Sequence, residues 1–409
     1  MPKKDYERVI KNEFTGFFEF PVSYVRGGTS TGVIIWQDIL PEDPRLKEEL
    51  IKIIMGVPQD GVNKNNNQIT GLGRITPTSN KAFFIKPIYE GQRLARFEST
   101  LAQMSAEHSV IDWSVNCGNM SSAIPLWAFE QGFLALTDNP QLEIFNTNTG
   151  IHTLSRINYC RTEGIMRSSI PGVHGLHPSI DLFLLDPSGS KTGLLFPTGH
   201  RRDNIEGIDV SCIDVAVPMV IVKATDLGKS GNESPIELMN DALLLSKLKN
   251  IWVKAGLKMG LTNKAGERMN QHELANSETI PKICMVSEPE NQQSTISARY
   301  FTPQKAHSSM AVSGGCCLAS ACLIEGTVAH DIAKNISSYN HGEFLESEIK
   351  ISNPAGVLDA KIIHSRNNNQ IVIKSASCKR TAQLLMKGWV PIIGESPELA
   401  NFLSLSVKE

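Results

Sequence analysis

The sequence predicts an α+β fold made of two similar halves, each a curled, mostly antiparallel sheet around one apolar helix. Three observations predict it. Strand signals outnumber helix signals, and strands paired across turn residues outnumber strand–helix–strand alternation. Two stretches share one design: Asn116-Cys117-Gly118-Asn119-Met120-Ser121-Ser122 opens an apolar run that ends at Glu130-Gln131-Gly132, and Ser313-Gly314-Gly315-Cys316-Cys317 opens one that ends at Glu325-Gly326. Two copies of one supersecondary unit explain this economically, with chance likeness of two buried helices as the alternative. Finally, 409 residues is long for one core and suggests two domains of about 200 residues each. The turn Asp186-Pro187-Ser188-Gly189-Ser190 sets the boundary, giving domains 1–187 and 188–409, with a return of the last strand to the first domain left open.

Residues 17–25 alternate as a strand, Arg26-Gly27-Gly28-Thr29-Ser30-Thr31-Gly32 interrupts it, and Val33-Ile34-Ile35-Trp36 resumes. Such a Gly-rich, hydroxyl-bearing turn is either a plain hairpin or a backbone nest for an anion. It is no P-loop, since no Gly-Lys-Ser/Thr opens a helix here. Asp43, Pro44 and Gly56 read as the cap, first position and exit of a helix, with Leu46, Leu50, Ile53 and Ile54 as its apolar stripe. Residues 57–80 are polar and glycine-broken, a length of irregular chain that is usually functional or mobile. Lys81 sits where this loop meets the strand Ala82-Phe83-Phe84-Ile85. A lysine is solvated by default, but burial beside Phe83 and Phe84 would lower its pKa toward that of a usable base.

Further strands are predicted near 93–98 and 108–115, ahead of the Asn-Cys-Gly-Asn turn and its helix. Free backbone N–H groups at a helix start bind anions and favour a thiolate over a thiol. A hairpin follows with Asn148-Thr149-Gly150 as its turn, then strands at 179–185 and within 208–222. Ser234-Pro235-Ile236-Glu237 is a capping box for a helix running to about Gly256. Strands at 282–286 and 297–301 precede the second helical stretch. After residue 340 only strands are expected, with turns at Asn353-Pro354-Ala355-Gly356 and Asn367-Asn368-Asn369.

A formal net charge of −2 leaves no broad basic surface for nucleic acid. No apolar run is long enough to span a membrane, and the charged start Met1-Pro2-Lys3-Lys4-Asp5 is no signal peptide. The eight cysteines lack CxxC or zinc-type spacing and read as reduced thiols, which places the chain in the cytoplasm. Ser121 and Ser122 read as backbone caps, since no triad pattern accompanies them. His174 and His177 read as surface residues, and His200-Arg201-Arg202 as a solvated basic turn.

Taken in order, Arg26-Gly27-Gly28-Thr29-Ser30, Gly71-Leu72-Gly73, Lys81 and Asn116-Cys117-Gly118-Asn119-Met120 resemble the cofactor-independent isomerases of unsaturated polycarboxylates. Phe196-Pro197-Thr198-Gly199, Ala298-Arg299-Tyr300-Phe301-Thr302-Pro303 and Glu325-Gly326-Thr327-Val328 extend the likeness over about residues 20–392. The sequence is most similar to 4-oxalomesaconate tautomerases and next to 2-methylaconitate isomerases.

The resemblance implies a diaminopimelate-epimerase-like fold with the active site in the cleft between two domains. Lys81 and Cys117 would be the proton-transfer pair. Thr29, Ser30, Gly71, Gly73, Arg74, Ser79, Gly118, Asn119 and Met120 would hold substrate, together with His307, Met310, Ser313, Gly314 and Gly315. The implied function is keto–enol or double-bond isomerisation of a small tri- or dicarboxylic acid, without metal or organic cofactor. Its alternatives are an aconitate-type cis–trans isomerase and, in another class, a non-catalytic tricarboxylate-binding protein. A homodimer is one assembly open to it. The repeat aligns Cys117-Gly118 with Ser313-Gly314, so the second copy offers no thiol for the opposite face of a carbon, which favours proton relocation over racemisation. Cys316 and Cys317 are expected in the core. Against the family pattern, Thr31 and Ser308 stand where basic residues are usual. Thr70 replaces Asp, Arg74 replaces Gly, and Asn80 replaces Ser before Lys81. Arg74 would then supply a displaced carboxylate contact.

Overall fold

A computed structural model describes residues 8–263, 265–277, 279–289, 291–336, 342–367 and 370–407. The chain divides into two compact units, one formed by Met1–Ser169, Val173–Leu182 and Arg380–Glu409, the other by Ile170–Gly172 and Phe183–Lys379. Both are α+β.

In the first unit, Phe18–Gly27 and Ser30–Trp36 form a hairpin. Ser30–Trp36 pairs in parallel with Lys81–Glu90, which pairs antiparallel with Arg93–Gln103. Gln141–Asn146 joins Arg93–Gln103 in parallel and turns back as Ile151–Ile157. Val33-Ile34-Ile35 and Ala82-Phe83-Phe84-Ile85 are buried residue after residue because both faces are covered there, whereas Gln141–Asn146 and Ile151–Ile157 alternate between buried and more exposed positions. Ile34, Phe83, Ile85, Phe97 and Leu101 face the helix Ala123–Glu130. Val33, Ile35, Ala82 and Phe84 point the other way, toward the core shared with the helices Pro44–Met55 and Pro397–Ser406.

The second unit repeats the order. Ile208–Val215 and Val217–Lys223 form a hairpin turned at Ala216. Lys282–Ser287 adds in parallel, Ile296–Thr302 antiparallel, and Leu345–Asn353 in parallel before it turns back as Gly356–Asn367. The helix Val312–Cys322 lies in the apolar core with Ile213, Met219, Cys284, Tyr300 and Ile351. The helix Ala242–Lys258 covers the opposite face at Val220, Ile283 and Met285.

Local signals behave as their chemistry dictates at most ends. Asp43 accepts from the amide of Arg45, and Gly56 closes that helix in the left-handed region at φ 67°. The structure differs from the sequence reading at four places. Residues 108–115 form only isolated bridges, Val62 with His108 and Gln103 with Asp112. The helix after Ser234 stops at Met239, and Asp241 caps a fresh one by accepting from Leu244. The helix after the cysteine turn is likewise split, into Gly118–Ser121 and Ala123–Glu130. Residues after 340 are not all strand: Ser396 caps the helix Pro397–Ser406, and Leu399 and Leu403 are buried. The expected turn at Asn367-Asn368-Asn369 and the charged N-terminal run fall largely outside the described residues. No helix among the described residues is long and apolar enough to cross a membrane.

Candidate active site

The first hairpin ends in a two-residue turn, Gly28-Thr29, with Gly28 at φ 52°. Arg26 is buried and clamps this turn, its Nη1 donating to the carbonyl of Gly28 at 2.8 Å and to that of Thr381 at 3.2 Å. The turn is pressed onto the cysteine segment. A Cβ at Gly27 would lie 2.4 Å from the carbonyl oxygen of Asn119, so only glycine allows this approach. Across the seam, Asn119 Nδ2 donates to Thr29 Oγ1 at 3.1 Å. Ser30 Oγ lies 3.8 Å from Cys117 Sγ.

Cys117 is the N-cap of Gly118–Ser121: its sulfur accepts from the Met120 amide at 3.5 Å. The amides of Gly118 and Asn119 occupy the first two helical positions, where no intrahelical acceptor exists. Met120 contributes its backbone, while its side chain is fully buried. Ser121 and Ser122 donate backward to the carbonyls of Cys117 and Asn119, so their hydroxyls are spent on the backbone without capping a helix start.

Lys81 opens its strand and is buried. Burial lowers its pKa below the ordinary lysine value, and the charge of Cys117 opposes that shift, so the two groups are near enough to couple. Lys81 Nζ donates to Gln103 Oε1 at 2.5 Å. The Ser30 hydroxyl and two helix-start amides thus lie at the Cys117 sulfur, and the buried Lys81 belongs to the same unit.

The loop before Lys81 is held by side-chain amides. Gln68 Nε2 donates to Asn80 Oδ1 at 2.6 Å and to the Met55 carbonyl at 3.0 Å, and Asn80 Nδ2 donates to the Thr76 carbonyl. Gly73 packs against this amide pair and Gly71 against Gly56. Asn80 is therefore a lock on the loop that leads to Lys81, and Gly71 and Gly73 let it close. Arg74 is exposed, its guanidinium 5.0 Å above the Tyr24 ring. Ser79 bonds within its own turn to Thr76.

In the second unit, His307 is partly buried beside the Tyr300 ring. Burial lowers its pKa, and its Nδ1 accepts from the Ser309 amide at 2.9 Å, which leaves Nε2 as the protonated nitrogen of the neutral ring. Met310 belongs to the core of that unit. Ala311 stands at the N-cap position of the helix Val312–Cys322 without a side-chain cap bond, and Ser313 lies in its first turn. The Gly315 amide donates to the Ala311 carbonyl and is already engaged, whereas Gly314 sits in the first turn, packed on Tyr300. The second copy still has no thiol at its helix entrance. Cys316 and Cys317 are fully buried, and burial pushes the Cys317 thiol up to about 12. All eight cysteines are free thiols.

Two residues escaped the sequence reading. Gln103 carries no motif; only the cross-strand register with Lys81 marks it. Lys282 could have been found from the repeat, since each half places a lysine at the head of an apolar strand, Lys81-Ala-Phe-Phe-Ile and Lys282-Ile-Cys-Met-Val. Burial lowers Lys282 to about 8. Among the described residues no group of three His, Cys, Asp or Glu side chains is placed to hold a metal.

Comparison with known proteins places this arrangement. A family model described as PrpF protein matches residues 18–393. The putative isomerase YbhH of Escherichia coli is 32% identical over 91% of this chain and 99% of its own. A 4-oxalomesaconate tautomerase of Pseudomonas putida is 30% identical over 92% and 97%. Among solved structures, a methylitaconate-delta-isomerase superposes with a TM-score of 0.77 at 27% identity, over 92% of this chain and 98% of that one.

Proposed function

The chain belongs to the PrpF family, and from that premise we propose that it is an isomerase of a small unsaturated tri- or dicarboxylic acid in which Lys81 and Cys117 move the proton. The observation that supports this most directly is the Cys117 sulfur at a helix start with the Ser30 hydroxyl 3.8 Å away, in the same unit as a buried Lys81.

The chemistry follows from what such an acid needs. A proton next to a carboxylate or carbonyl leaves only if a base with a pKa near neutrality takes it and donors meet the charge that spreads onto oxygen. Burial moves the Lys81 amine toward such a base, and the Cys117 sulfur is the second proton carrier. One takes the proton from carbon, and the other returns a proton at the far end of the allylic or enol system. The amides of Gly118 and Asn119 and the Ser30 hydroxyl meet the developing oxyanion. Thr29 and Arg74 serve as further substrate contacts. In the second unit, the His307 Nε2–H and the entrance at Ser313-Gly314 are the groups assigned to carboxylate binding.

The test is turnover on a panel of acids that includes oxalomesaconate and aconitate, followed by ultraviolet absorbance and by deuterium uptake from solvent. Cys117→Ala and Lys81→Ala are expected to lower kcat by about 10²–10⁴-fold with unchanged circular dichroism. Arg74→Ala is expected to raise KM and spare kcat. Wild-type rates in both Cys117→Ala and Lys81→Ala would reject the assignment, and binding of an acid without deuterium uptake would favour a non-catalytic binder.

A further inference from the structure

Lys81 is held by one residue that no motif announces. Gln103 ends the strand Arg93–Gln103 directly across the sheet from Lys81, in register with it. Its Oε1 accepts from Lys81 Nζ at 2.5 Å. Its Nε2 donates to the carbonyl of Asn80 at 3.2 Å and to that of Met104 at 3.0 Å. Those two carbonyls fix which way the amide faces: turned over, the amide would set its oxygen against two carbonyl oxygens and its NH₂ against the lysine nitrogen. Asn80 is in turn locked by Gln68, which bonds to Met55. A chain of neutral amides therefore runs from the helix Pro44–Met55 to the lysine nitrogen.

We propose that Gln103 is the positioning residue of Lys81: its amide oxygen fixes the lysine nitrogen without supplying a charge that would hold the proton there. The role rests on the isomerase reading above. The choice of residue follows from its chemistry. A carboxylate at this site would pair with the ammonium and keep it protonated, which would disable it as a base. An apolar side chain would remove this hold on the nitrogen, and a displacement of about 1 Å can lower a rate about 10²-fold. An amide accepts an N–H from the nitrogen in either protonation state and adds no charge beside it.

Two substitutions pull in opposite directions, which a merely structural role would not produce. Gln103→Glu introduces a carboxylate beside the amine and is expected to move Lys81's titration about 1–3 pH units toward alkali. Gln103→Met removes an acceptor that favours the ammonium and is expected to move it toward acid. Titration is read without substrate, from the pH dependence of Lys81 modification by an amine-reactive reagent, followed by peptide mass spectrometry. In the isomerase assay, Gln103→Met is expected to lower kcat about 10²-fold with KM within about twofold, and Gln103→Glu to regain rate as pH rises. The idea is overturned if the two variants shift the modification midpoint the same way or not at all, or if Gln103→Met turns over at the wild-type kcat. Should one variant fail to fold, the other decides by the direction of its midpoint. If the wild type turns over none of the acids tested, the isomerase reading fails separately, and the modification midpoints still decide whether Gln103 governs Lys81.

Discussion

Lys282 shows what burial alone does to a cation in this fold. It heads a strand as Lys81 does, and desolvation brings it to about 8 from an ordinary 10.5. In the folded chain it binds its proton less readily than in the unfolded chain, so stability is lowest below about 8 and rises as pH climbs from there toward 10.5. Lys282→Met is expected to raise Tm at pH 7, with the difference from wild type shrinking as pH approaches 10; a constant gap would contradict it. At this scale the sequence was informative wherever chemistry is carried by local pattern. Cys117 stands out between turn residues, and Lys81 at the edge of an apolar run. Gln103 was illegible because its importance comes from a partner 22 positions away, and a glutamine near the end of a strand carries no signal of its own. Gly71 and Gly73 were expected to hold substrate, and sequence could not show that they allow the close packing of the loop behind Lys81.

The element that organises the first unit is the pairing of the Gly28-Thr29 turn with the short helix at Cys117. With Ser30 and Cys117 on opposite sides of this seam, their separation depends on how closely two backbones can approach. Gly27→Ala would drive a methyl into the carbonyls of Asn119 and Met120. The expected result is a loss of about 1–3 kcal/mol of stability and a larger fractional loss of activity, measured by denaturant melts and turnover of the same preparation. A variant that loses stability but retains full kcat would show that the approach does not set the site. Caps explain which elements could be read in advance. Asp43, Pro44 and Gly56 bracket their helix because each satisfies a backbone group locally. The break at Asn240-Asp241 was missed because the apolar spacing continues across it while Asp241 caps a new start. The helix at Pro397 was missed although Ser396-Pro397-Glu398 is a sound opening signal, since the preceding strand pattern had dominated the reading.

At the scale of the molecule, two units with the same order of strands each enclose an apolar helix, and the paired stretches at Cys117 and Ser313 were the trace of this in the sequence. A return of the last strand to the first domain was left open by the sequence, because an alternating strand does not name its partner. Gln370–Ile392 pairs with Gly356–Asn367 through Cys378 and with Phe18–Gly27 from Ala382 onward. Beyond it, Leu399 and Leu403 complete the core that also holds Val33, Ile35 and Phe84. Leu399→Ala is expected to destabilise the first unit by about 2–5 kcal/mol, seen as a lowered Tm, and an unchanged melt would show that the C-terminal helix is dispensable. The route of this strand also ties the Ser30 turn to distant chain. Arg26, which clamps that turn, is anchored on the carbonyl of Thr381, 355 positions away, and the strand flanking the hairpin comes from the same late segment. So short a turn is thereby made answerable to the ordering of a whole intervening unit.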